Sequence, residues 1–112
     1  AELVNGNSGI KVDTVNTYNN GSWQHVVVTY DGSRSANGLK IYVNGVAANT
    51  TIADNSLGTN SILNNVPLTI GAREGGNFAL TGKIDELSVF SRNLTGAEVS
   101  TLHEASKLTY DY

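Results

Sequence analysis

Apolar Ile10 and Val12 alternate with Lys11 and Asp13, between the turn-rich runs Asn5-Gly6-Asn7-Ser8-Gly9 and Asn19-Asn20-Gly21-Ser22. A period of two bounded by turn residues predicts a strand. Over 23–30, Trp23, His25, Val27 and Thr29 share one face while Gln24, Val26, Val28 and Tyr30 share the other. With apolar groups on both faces, this stretch predicts a central strand, with Trp23 in the core, closed by the turn Asp31-Gly32. Leu39, Ile41 and Val43 then oppose Lys40 and Tyr42, and Asn44-Gly45 follows at once. Asn-Gly best places two successive residues at positive φ, so the pair predicts a type I′ hairpin into Val46-Ala47-Ala48.

The pattern weakens over 49–66, which is rich in Thr, Asn and Ser and carries Ile52, Leu57, Ile62 and Leu63 as its apolar anchors. It predicts a long loop or a pair of weak strands, and long loops are where ligands commonly bind. Pro67-Leu68-Thr69-Ile70-Gly71 predicts a strand that opens where a ladder donor is dispensable. A tight Arg73-Glu74-Gly75-Gly76-Asn77 connection leads to a long strand over 80–91. Beyond it Thr95 stands as a helix N-cap with Glu98 as its capping-box partner, and Leu94 and Val99 form a hydrophobic staple. One short helix, over about 95–106, is the α element the pattern predicts.

A length of 112 residues suits a single domain, 1–112, with one modest core. Hydrophobic residues at 39% against 15% charged exclude a disordered tail, and 12 glycines suit many turns between short strands. The class is all-β. The net charge is -3, and the seven Lys and Arg are scattered between Lys11 and Lys107, so no basic stripe is present for a nucleic-acid partner. No apolar run approaches the ~20 residues of a membrane span, so membrane insertion is not expected. The chain has no cysteine, which removes disulfides, thiol catalysis and thiolate metal sites.

The strings Trp23-Gln24-His25-Val26-Val27-Val28-Thr29-Tyr30-Asp31-Gly32, Leu39-Lys40-Ile41-Tyr42-Val43-Asn44-Gly45, Leu68-Thr69-Ile70-Gly71 and Leu80-Thr81-Gly82-Lys83-Ile84-Asp85-Glu86-Leu87-Ser88-Val89-Phe90, with the helix start after them, occur in this order. The ordered set, over 23–102, resembles the laminin-G-like jelly-roll domains of the concanavalin A-like lectin/glucanase superfamily. The resemblance implies an antiparallel β-sandwich closed by one short C-terminal helix. It also implies N-terminal strands ahead of the Trp strand that need more than the 22 residues preceding Trp23, so the expected fold is a partial jelly roll.

Candidate chemistry is sparse. Glycoside hydrolysis needs two carboxylates facing one sugar at ~5–9.5 Å. Asp85 and Glu86 are neighbours on a predicted strand and point to opposite faces, which suits orientation of backbone better than catalysis. The superfamily's glucanases carry alternating acidic residues on one strand, a pattern this chain lacks. His25 and His103 are the two histidines, too few for a zinc site without cysteine, and His25 belongs to the Trp-x-His core motif of the resemblance. Calcium is the ion the resemblance implies, because it takes hard oxygen ligands in loops; Asp54 and Asn55 are its candidate ligands. Sugar recognition uses aromatic faces and amide side chains, and the loops offer Tyr18, Asn19, Asn20, Asn55, Asn60, Arg73 and Asn77, with Tyr110 and Tyr112 as further platforms.

These features imply a non-enzymatic recognition and adhesion module that binds a glycan or protein surface outside the cell. The alternative is a structural subunit or decoration of a virion or surface appendage, self-assembling or completed by strands from another chain. A glycan hydrolase is the weakest reading.

Overall fold

The alternation around Ile10 and Val12 becomes a strand in the computed structural model, which describes residues 1–73 and 76–110. That strand, β2 (Ser8–Thr14), pairs antiparallel with β1 (Glu2–Asn5) before it and with β6 (Thr50–Asn55) after it. A second antiparallel sheet holds β3 (Val26–Tyr30), β4 (Leu39–Val43) and β5 (Val46–Ala47) in that order. The connection into β4 is a 3-10 turn at Ala36–Gly38, capped by the Ser35 side chain.

The two sheets meet through alternate faces of their middle strands. Ile10 and Val12 of β2 pack against Leu39, Ile41 and Val43 of β4, with Ala36 and Leu57 completing the buried cluster. The opposite face of β4 carries Tyr42, which is buried with Leu94 and Val99 beneath helix α1 (Gly96–Tyr110). This strand is therefore covered on both sides. The predicted Leu39/Ile41/Val43 face and its Tyr42 counter-face both hold, as does the Asn44-Gly45 turn, whose φ angles of 52° and 82° suit type I′.

The capping box also forms as its spacing predicts. The Glu98 N–H donates to Thr95 Oγ1 at 3.2 Å, and the Thr95 N–H donates to Glu98 Oε2 at 3.0 Å. Leu94 and Val99 close the staple from either side of the cap.

Three expectations change. First, β3 lies at a sheet edge, not at the centre, and begins at Val26; Trp23 precedes it and is 56% exposed. Val26 and Val28 stand opposite Val43 and Ile41, so they point to the core side. They are nonetheless 56% and 50% exposed, because the facing sheet does not reach over them.

Second, the N-terminal residues supply an additional strand, β1, which the sequence pattern does not announce. Third, no strand forms among the described residues between β6 and α1. The predicted strands at 67–71 and 80–91 meet at their turn, where the Leu80 N–H donates to the Gly71 carbonyl at 2.6 Å and the Arg73 N–H to the Asn77 carbonyl at 2.9 Å. The ladder then stops. Pro67 has no N–H to contribute, and Glu86 takes a left-handed φ of 52° that breaks an extended run.

Candidate functional site

The connection between 71 and 80 carries the most accessible aromatic group among the described residues, beside a cation. Phe78 adopts φ of 54° just past the turn and is 82% exposed. The Arg73 guanidinium lies over that ring, 5.5 Å from its centroid, and reaches Glu2 Oε2 of β1 at 3.4 Å. The Glu2 contact anchors the loop to the sheet, while the aromatic surface remains open to a partner. Arg73 and Asn77 are thus brought together, as two of the sequence candidates, and Phe78 is the residue that sequence reasoning missed. The available signal was an aromatic side chain placed directly after Gly76-Asn77, where neither strand face needs one.

The remaining amides are distributed among turns. Asn60 is exposed, its N–H bonded to the Leu57 carbonyl at 3.0 Å. The segment around it runs beside β1, held by Asn5 Nδ2 donating to the Ser61 carbonyl at 2.6 Å and Asn64 Nδ2 to the Val4 carbonyl at 3.1 Å. Tyr18, Asn19 and Asn20 form another group ahead of β3. Tyr18 is partly buried against the main core, so its ring is not an open platform. Asn20 Oδ1 accepts from the Ser22 N–H and from Gln24 Nε2, at 3.1 and 3.0 Å, which commits it to the local turn. Asn55 Oδ1 accepts from the Ala36 N–H at 2.8 Å and ties β6 to the 3-10 turn. The side chains of Tyr110 and Tyr112, and Glu74 and Gly75 of the tight connection, lie outside the described residues.

Asp54 and Asn55 are engaged by protein donors on opposite faces of β6. Asp54 Oδ1 accepts from the Ser56 N–H at 3.0 Å and its Oδ2 from Ser56 Oγ at 3.1 Å, whereas Asn55, its neighbour on the same strand, turns to the other face. Among the described residues no group of three His, Asp or Glu converges on one point. Asp31 is likewise a turn residue, its Oδ1 accepting from the Ser33 N–H at 2.9 Å; hydrogen bonds from Ser33 hold its carboxyl below the usual range. Asp85 Oδ1 accepts from the Glu86 N–H at 2.8 Å, so it caps local backbone.

The two histidines, distant in sequence, converge where the β4–β5 hairpin meets α1. Their ring centroids are 5.5 Å apart with a 41° tilt. Asn44 fastens the strand side of this contact, its Oδ1 accepting the His25 N–H at 3.0 Å.

With six antiparallel strands in two packed sheets and a closing helix among the described residues, the architecture is that of a partial concanavalin A-like sandwich. The chain belongs to the laminin-G-type family of the concanavalin A-like lectin/glucanases superfamily, whose model matches residues 2–100. No curated protein matches the chain. Among solved structures it is similar to the 2.1 Å crystal structure of an S-layer domain-containing protein (residues 221–444) from Clostridium thermocellum, with 22% identity, a TM-score of 0.46 and coverage of 80% of this chain and 43% of that one. The chain therefore spans less than half the length of that solved chain.

Proposed function

We propose that this chain is a non-enzymatic recognition and adhesion module acting outside the cell, at a cell or virion surface, where its loops contact a glycan or a protein. Membership of the laminin-G-type family over residues 2–100 carries this reading. The Arg73–Phe78 turn supports it as the contact surface, because an exposed ring can stack on the apolar face of a sugar or on a partner side chain while Asn77 and Arg73 supply polar contacts. The carboxylates support no hydrolytic pair: Asp85 is turned to the backbone of Glu86. Glycan-array and extracellular-protein binding, with and without chelator, tests the proposal. Binding lost in Phe78→Ala is the expected result; binding to no glycan or protein by a folded chain overturns it, as does turnover of a β-glucan.

One observation favours a second reading, a structural subunit of a virion or surface appendage completed by strands from another chain. Val26 and Val28 of edge strand β3 face the core side yet stay half exposed, and Leu87, Val89 and Phe90 are exposed on a stretch with no ladder. An uncovered apolar strand edge invites strand addition. Size-exclusion chromatography with light scattering separates the readings: a stable monomer at high concentration counts against obligate assembly.

A further inference from the structure

We propose that His25 and His103 form an acid-sensitive latch that holds helix α1 on the β4–β5 hairpin and releases it when an imidazole takes up a proton. The rings stand 5.5 Å apart, one entering β3 and the other on α1. The Nδ1 atom of each is shut off from solvent and has no hydrogen-bond partner. A neutral imidazole tolerates such a site; a charged one lacks both water and an acceptor there, and two charged rings also repel.

The surroundings offer little relief. At Gly45 a Cβ would stand 3.2 Å from His103 Cβ and Cδ2, so the half-buried ring is pressed on hairpin backbone with its Nδ1 turned away from water. The hairpin residues beside it, Asn44 and Gly45, are neutral. On α1, Glu104 is paired with Lys107 at 3.0 Å. Glu86 is the carboxylate acting on His25, and it is exposed. Burial, and then the neighbouring His103, push the His25 imidazole below the usual histidine range, with Glu86 opposing. A depressed histidine is neutral in the fold at neutral pH, so the latch is closed there and opens as pH falls below the ordinary histidine value. The rest of the helix contact is a small cluster of Leu94, Val99 and Leu102 on Tyr42 and Val27, which gives the histidine pair leverage.

Amide hydrogen exchange from about pH 7.5 to about pH 5, a window spanning the histidine range, tests the latch. After correction for intrinsic exchange, protection of the α1 amides is expected to fall about tenfold or more on acidification, while β2 and β4 keep theirs. His103→Phe, which preserves ring volume, is expected to weaken that pH dependence, and His25→Gln together with His103→Phe to remove it. Helix protection that is flat across the window, or that still falls equally in both variants, overturns the proposal.

Discussion

Asn44 grips His25 on both sides of its backbone: its Oδ1 accepts the His25 N–H at 3.0 Å, and its own N–H donates to the His25 carbonyl at 2.8 Å. Its Nδ2 also donates to Gln24 Oε1 at 2.7 Å. The residue that turns β4 into β5 thus also fixes where the chain enters β3 and where His25 meets the helix.

Asn44→Ala removes the two side-chain bonds, keeps the backbone N–H bond to the His25 carbonyl, and leaves a β-carbon residue without side-chain hydrogen bonding in a left-handed position. The expected cost is about 2–4 kcal/mol, with Asn44→Gly losing less because the turn remains relaxed. Urea denaturation of both variants is the check; equal losses would show that the left-handed backbone adds nothing beyond the side-chain bonds both variants lack.

Leu57 is fully buried between the sheets although it sits just past β6 in a loop. Leu57→Ala is expected to cost about 2–5 kcal/mol, whereas Leu63→Ala, on the exposed continuation of the same loop, should stay within about 0.5 kcal/mol. Thermal melts of the pair measure the contrast.

The helix start couples to pH through Glu98. The Arg92 guanidinium, hydrogen-bonded at 2.8 Å, and then the Thr95 N–H hold the Glu98 carboxyl below its ordinary value. A depressed carboxylate stabilises the fold above its ordinary range and loses that contribution as pH falls through the folded value. Helix fraying by this route therefore belongs to the acidic carboxylate range, below the histidine range. Thr95→Ala should weaken the fold by about 0.5–2 kcal/mol at neutral pH, and Glu98→Gln should flatten the acidic limb of helix circular dichroism.

Phe78→Ala and Arg73→Ala alter exposed groups and should leave stability within about 0.5 kcal/mol. Loss of the aromatic face is expected to weaken ligand binding about tenfold or more, measured by calorimetry on whichever glycan or protein binds the native chain. Unchanged affinity in both variants would move the contact surface away from this turn.

Short-range features were legible along the chain. The β4 alternation, the Asn44-Gly45 turn and the Thr95/Glu98 cap each depend on residues within a few positions of one another, and each forms as read. Candidate ligands were less legible, because Asn and Asp serve turns and recognition alike. Asn20, Asn55 and Asp54 are committed to local or cross-strand hydrogen bonds, which composition cannot reveal. Phe78 was hidden for the opposite reason, being apolar yet placed outside any packed face.

The sequence by itself determined the all-β class, the family motifs, strands β2 and β4 and the helix start, since side-chain alternation and capping are encoded by neighbours. The helix runs on to Tyr110, past the expected end near 106. Only the tertiary structure decided that β3 is an edge, that 80–91 forms no ladder, and that His25 meets His103. A strand exists only when a distant segment supplies hydrogen-bond partners, and a contact between rings exists only when two elements dock. Both depend on pairings across the fold that no local window of residues contains.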